Sequence, residues 1–172
     1  MRKPLSFAGR LLKTENTMDK LVLPNGILLG EVEKLVSEGK EVSFTPRGNS
    51  MLPFLRGGED SVVLCAVKDI AVGDMLLVRL SDRYVLHRVW SIDGEKVVMM
   101  GDGNIRGKEK CLKKDVVGKV REIHKLKSGK TVIPDKGRIW RMLLPVRRYI
   151  LWLYKKIWPV SPLPKVETEK TQ

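Results

Sequence analysis

The 172-residue chain has only two cysteines, Cys65 and Cys111, and this scarcity excludes two classes of small protein. Two thiols supply neither a disulfide framework nor a four-ligand zinc site. Cys65 lies in the apolar run Ser61–Val67, which predicts a small buried hydrophobic residue. A hydrophobic content of 42% with 31% charged residues indicates one globular domain with a true core.

The sequence also lacks long apolar runs. No stretch approaches the roughly 18 consecutive apolar residues of a transmembrane helix, and the basic residues 1–17 lack the apolar centre of a secretory signal. We expect residues 1–17 to form a flexible tail and an ordered domain to begin at Met18. The expected location is the cytoplasm or the inner face of the cytoplasmic membrane.

Positive charge is abundant but unevenly placed. The net charge is +13, and residues 119–160 alone contain 12 Lys and Arg against two acidic residues. The rest of the chain is nearly neutral. The basic character therefore belongs to the C-terminal part.

The apolar pattern predicts a mainly β domain over residues 18–136. Residues 25–39 have helical spacing, which predicts one helix near the start. Short strand-like runs separated by turn signals follow, which favours a small coiled sheet or barrel-like β domain. The expected strands are Glu41–Pro46, Ser61–Val67, Asp74–Leu80, Arg83–Ile92, Lys96–Met100 and Val116–Ile123.

Residues 137–160 have a different sequence pattern, which predicts a basic amphipathic helical segment interrupted at Pro145. An apolar helix face is expected from Ile150, Leu151, Tyr154, Ile157 and Trp158. Two interpretations stay open: the segment lies on an anionic membrane surface, or it packs its Trp face on the β domain. Residues 161–172 are expected to be a disordered tail.

The turn at residues 48–58 is the first candidate functional element. Gly48 permits a close approach, and Pro53 biases the preceding residue away from helix. Ser50 is thereby expected in a rigid turn between Asn49 and Met51. By itself this pattern suits an ordinary loop as well as a nucleophile.

Two later features combine with this serine. His87 shares a strand face with Val85 and Val89, where a histidine is usually a core residue. An acidic turn at residues 101–104 contains Asp102, which alone indicates a plain β-turn.

Taken in order, these motifs resemble the type I signal peptidase superfamily, which also includes the self-cleaving SOS repressors. Histidine before Arg-Val makes the chain most similar to the endoplasmic-reticulum and archaeal Ser/His subgroup, since bacterial signal peptidases carry lysine there. The resemblance covers about residues 41–123 and implies a signal-peptidase-type core. The residues that carry it are Ser50-Met51-x-Pro53-x-Leu55, His87-Arg88-Val89 and Gly101-Asp102-x-Asn104, with Lys114–Val120 similar to the strand that closes the family's core.

The resemblance implies a serine peptidase without a cofactor. Ser50 is the expected nucleophile and His87 its general base, because a serine hydroxyl needs a base to become reactive. Asp102 is expected to orient the imidazole, with Asp115 as a second candidate. Asn49 and the Ser50 N–H are the expected oxyanion donors, supported by Met51 beside the serine.

The expected partner is an extended peptide or protein substrate with small residues at the cleavage site. Two alternatives remain. One is a self-cleaving regulator, for which Ala8-Gly9 is a matching dipeptide. The other is an inactive basic module that binds a membrane or nucleic acid, although nucleic acid is not the partner that the main interpretation expects.

Overall fold

The structure, a computed structural model, describes residues 25–81 and 83–159. The tails expected at 1–17 and 161–172 lie outside these residues. Within them, the fold is mainly β and consists of one eight-stranded antiparallel sheet with a few short helices. The expectation of a mainly β domain is thus confirmed.

The sheet has the strand order β1-β2-β7-β3-β4-β5-β6, and β8 pairs with β7 outside this path. Because β7 lies between β2 and β3, the last long strand joins the two halves of the sheet. The strands are Val42–Phe44 (β1), Ser61–Cys65 (β2), Met75–Arg79 (β3), Tyr84–Asp93 (β4), Lys96–Met100 (β5), Glu109–Leu112 (β6), Val116–Lys125 (β7) and Lys130–Val132 (β8).

Two of these strands, β6 and β8, were not expected from the sequence. Both are short, each contains at least one charged residue, and Cys111 is the only buried residue in the two of them. Short charged strands are typical of sheet edges. Their pairing is decided by the neighbouring strand rather than by an apolar pattern of their own.

Hydrophobic clusters cover the sheet on both sides. The first includes Val32 and Val36 of helix α1 (Asn25–Ser37) with Met75 and Leu77 of β3. The second contains the alternate residues of the same strand, Leu76 and Val78 among them. Strand β3 is therefore buried on both faces, as its continuous apolar run requires. Cys65, expected to be buried, is only partly so.

The C-terminal segment forms two helices, α2 (Arg138–Met142) and α3 (Arg147–Ile157), separated at Pro145 as the sequence predicts. Leu151 packs with Trp140 and Leu52 in a third cluster. The expected apolar face is partly wrong, because Ile157 and Trp158 are more than half exposed. No helix in residues 25–81 and 83–159 is long and apolar enough to cross a membrane.

Candidate active site

Ser50 lies in a tight turn that follows β1 after a short connecting segment. Met51, Leu52 and Leu55 are buried and anchor the turn, whereas Ser50 is half-buried and Asn49 is exposed. The Leu52 N–H donates to the Asn49 carbonyl, and the Leu55 N–H donates to the Met51 carbonyl. The serine is thus presented at the surface by a turn whose following residues are fixed in the core.

Glycines let the ends of this turn approach each other. Gly48 has a φ of 93°, in the region that favours glycine. A Cβ atom on Gly57 would stand 1.9 Å from the Gly48 carbonyl oxygen, so no larger residue fits there. The Gly58 N–H donates to the Pro46 carbonyl at 2.8 Å and closes the loop. Gly57 is therefore required by packing, whereas Gly58 has a φ of 78°, in the region that favours glycine.

His87 is placed by β4, and its side chain is only 4% exposed. Residues 84–87 pair with β3 on one side, while pairing with β5 begins only at Arg88. The imidazole therefore lies where β5 has ended. Its Nδ1 atom lies 2.7 Å from Oε2 of Glu109, the first residue of β6.

Glu109 was missed by sequence reasoning, which had assigned the orienting role to Asp102. In the structure the Asp102 carboxylate is bound by Arg88 rather than by His87, through Nε at 3.0 Å and Nη2 at 2.8 Å. Arg88 and Asp102 are both buried, and a hydrogen-bonded anion offsets the cost of burying a guanidinium. Nothing in the sequence marked Glu109, since its strand was not recognised.

Asp115, the second expected orienting residue, is also not at this site. Its carboxylate accepts a hydrogen bond at 2.8 Å from the Leu112 N–H and caps the short 3₁₀ helix Lys113–Asp115. This is a local backbone role, typical of aspartate three residues after a turn begins. The expectation of a second orienting carboxylate at Asp115 therefore gains no support from this geometry.

The turn at residues 101–104 holds the serine through its backbone. The Gly103 N–H donates to the Ser50 carbonyl at 2.7 Å. A Cβ atom on Gly103 would stand 2.4 Å from the Asn49 carbonyl oxygen. The motif thus fixes the serine turn by close backbone contact rather than by the carboxylate of its aspartate.

Gly101 brings His87 next to this turn. The point where a Cβ atom on Gly101 would stand lies 2.9 Å from His87 Nε2 and 2.3 Å from the Ser50 carbonyl oxygen. The Asn104 side-chain nitrogen lies 2.9 Å from the same point. Nε2, the serine turn and the Asn104 amide therefore surround one glycine.

A cavity of about 300 Å³ opens at this place. It is lined by Ser50, Met51, His87, Asn104 and Glu109, together with residues of β4. Asn49 does not line it, so the expected oxyanion role of this side chain gains no support. Asn104 carries the side-chain amide that does reach the cavity.

No hydrogen bond joins the Ser50 hydroxyl to His87 among the described residues. Catalytic hydrogen bonds are often long in an enzyme without substrate, so shared lining of one cavity is the relevant geometry. The two expected catalytic side chains thus line one cavity, without a hydrogen bond between them.

Burial lowers the pKa of His87 below its usual value, although the neighbouring Glu109 acts in the opposite direction. The imidazole is therefore neutral near pH 7. A neutral ring that donates from Nδ1 to Glu109 has an unprotonated Nε2. This is the protonation state that a general base requires.

No group of three or more His, Cys, Asp or Glu side chains is arranged to hold a metal ion in the described part of the chain. No protein-family model matches the sequence, and a search of curated proteins finds no match.

Proposed function

We propose that the protein is a serine endopeptidase of the signal-peptidase-like kind, which cleaves a leader or signal-like peptide with Ser50 and His87. One observation carries this proposal above all. His87 is held by Glu109 through Nδ1, while its Nε2 lies beside the backbone of the Ser50 turn across Gly101. A candidate nucleophile (Ser50), a base (His87) and a group that orients the base (Glu109) therefore line one cavity.

In the first step, the Ser50 oxygen attacks the peptide carbonyl carbon and its proton moves to His87 Nε2. The Glu109 carboxylate stabilises the imidazolium that forms. The Ser50 N–H and the Asn104 amide are the donors available to the oxyanion. His87 then donates the proton to the leaving amine as the C–N bond breaks, leaving an acyl-enzyme. Water, deprotonated by the same imidazole, hydrolyses this ester.

The unpaired strand edges suit an extended peptide. Among the described residues, strand β1 pairs only with β2, and residues 84–87 of β4 have no partner on the β5 side. The cavity is lined by Pro46 and Arg47 just after β1 and by these residues of β4. A substrate can therefore add as a strand with its scissile bond at Ser50. By the family resemblance, small side chains flank that bond.

A fluorophosphonate probe tests the proposal without knowledge of the substrate. Such a probe phosphonylates an activated serine hydroxyl and releases fluoride. We expect intact-mass spectrometry to show one added label on the full chain, because Ser50 is the activated hydroxyl. The label should be absent from Ser50→Ala and His87→Ala, and present in Ser91→Ala, whose serine is exposed on β4.

Two results would count against this function. Absence of label from the folded wild-type chain favours an inactive module, and label that persists in Ser50→Ala shows a different nucleophile. The same spectra test self-cleavage, because spontaneous loss of the first eight residues would favour a self-cleaving regulator.

A further inference from the structure

The outer surface of α2 and α3 carries an unusual concentration of exposed apolar side chains. Eight of the fourteen large hydrophobic residues that are exposed in the described chain lie between Ile139 and Trp158. Met142 is 80% exposed and Trp152 is 63% exposed. A concentration of exposed apolar side chains of this kind marks an interaction site. We call seven of these residues the outer face: Ile139, Met142, Val146, Tyr149, Trp152, Leu153 and Ile157.

Helix α3 separates this surface from the side that packs on the protein. Arg147, Leu151 and Tyr154 recur at positions i, i+4 and i+7, face inward, and are buried or half-buried. Tyr149, Trp152 and Leu153 lie on the opposite side and are exposed. Packing on the β domain and the presentation of an aromatic face to solvent thus occur in the same helix. The two interpretations left open by the sequence do not exclude each other.

Cations accompany the outer face, and anions are absent from it. No Asp or Glu occurs between Gly137 and Trp158, whereas six Lys and Arg do. Arg148 lies over the Tyr149 ring at 4.6 Å, and Lys156 lies over the Trp152 ring at 5.3 Å. Within the described chain, Arg148, Lys155 and Lys156 form no salt bridge. Their charges remain available to an external anion.

We propose that the outer face docks on an anionic membrane surface, with α3 lying in the plane of the lipid headgroups. Trp, Tyr and Leu enter the boundary between headgroups and acyl chains, while Arg148, Lys155 and Lys156 meet lipid phosphates. A nucleic acid would satisfy the cations but would leave Leu153 and Ile157 exposed to water. The combination of apolar and cationic groups therefore favours lipid.

The inner side of the same segment is bonded to the candidate active site. The Trp140 indole N–H donates to the Asp102 carbonyl at 2.9 Å, and Arg147 Nη1 donates to the Asn104 carbonyl at 3.1 Å. Residues 101–104 in turn hold the Ser50 turn. Docking would therefore fix the cavity relative to the membrane. If the proposed peptidase function holds, its substrates are peptides that emerge at or lie on the membrane surface.

The experiment is co-sedimentation of the full chain, carrying Ser50→Ala, with vesicles of phosphatidylcholine alone or mixed with phosphatidylglycerol. Because the nucleophile is absent, the outcome is independent of the peptidase proposal. We expect binding to the anionic vesicles only, weakening as salt is added. Leu153→Glu should lower the affinity about tenfold or more, since it removes apolar area and adds repulsion.

Leu126→Glu is the matched control, because it makes the same change at an exposed leucine in another basic region. It should leave binding within about twofold, since that leucine is outside the outer face. Lys156→Glu supplies a second variant if Leu153→Glu fails to fold by circular dichroism, with the same expected loss. Protein that stays in the supernatant at low salt overturns the proposal. So does equal weakening by Leu126→Glu, or a wild-type dimer that Leu153→Glu or Lys156→Glu converts to monomer.

Discussion

His87 and Arg88 are neighbours on β4 and are both buried, yet their side chains lie in different surroundings. Each has a carboxylate partner, Glu109 for His87 and Asp102 for Arg88. Side chains alternate along a strand, so the two pairs face opposite sides of the sheet. Glu109 is partly exposed at a cavity, whereas Asp102 is only 2% exposed.

The two pairs differ in accessibility, and this difference indicates which pair a substrate can reach. Arg88 also donates to the carbonyl oxygens of Gly73 and Asp135, so its guanidinium ties three chain segments together. No solvent or substrate can reach that pair without disruption of the fold. The His87 pair leaves Nε2 beside the cavity. We infer that Arg88 and Asp102 are structural and that His87 and Glu109 are functional.

The largest expected effect is a difference in stability between variants of the two carboxylates, Asp102 and Glu109. Asp102→Ala leaves a buried guanidinium without its anion, so we expect the free energy of unfolding to fall by about 3–5 kcal/mol. Glu109→Ala should cost about 1 kcal/mol, because His87 can remain neutral without it. Urea unfolding followed by circular dichroism measures both variants. Equal losses in the two would contradict the division into structural and functional pairs.

A second prediction concerns activity and its dependence on pH, and it rests on the proposed function. Glu109→Gln should lower kcat/KM for a leader-like peptide about 100-fold, because the imidazolium loses its counter-charge. His87 must be neutral to act, and burial lowers its pKa. The acid limb of wild-type kcat/KM should therefore lie below about pH 6.5.

The variant's acid limb should shift to still lower pH, since Glu109 is the group that raises the His87 pKa against the effect of burial. Glu122→Gln, on β7 away from the cavity, is the control and should leave both the rate and the limb unchanged. An acid limb that moves to higher pH in Glu109→Gln would be evidence against this role of the carboxylate.

The smallest expected effect concerns Gly101, the glycine between His87 and the Ser50 turn. Gly101→Ala places a methyl group 2.3 Å from the Ser50 carbonyl oxygen, so the serine turn must move. Overpacking of this kind costs about 1–3 kcal/mol. Gly30→Ala in α1 is the control, because no atom outside the neighbouring backbone of its own helix lies within 4 Å of its Cβ position. Thermal unfolding and fluorophosphonate labelling of both variants provide the comparison, and unaltered labelling in Gly101→Ala would refute the close approach.

Much of the fold could be predicted because it depends on local patterns. The apolar runs of β2, β3, β4, β5 and β7 indicated strands, and the periodicity of residues 25–39 indicated a helix. Strands β6 and β8 could not be recognised, since short charged edge strands lack such a pattern. The break at Pro145 was predictable because proline cannot continue a helix.

The candidate site was predicted only in part. Ser50 and His87 line one cavity, in keeping with the motif order, whereas the orienting carboxylate was assigned to Asp102 instead of Glu109. His87 and Arg88 follow each other on β4, and the sequence alone does not show which of them pairs with Asp102 and which with Glu109. Only the positions of β5 and β6 decide which partner each one meets.

The sequence by itself determined a mainly β domain, a serine in a glycine-bounded turn and a basic C-terminal segment. These depend on backbone preferences and apolar spacing, which act over a few residues. The tertiary structure decided that Glu109 holds His87, that Gly101 separates Nε2 from the serine turn, and that α3 keeps Trp152 outside while burying Arg147. Such pairings join residues that are distant along the chain, and long-range packing and the demand of buried charges for partners fix them.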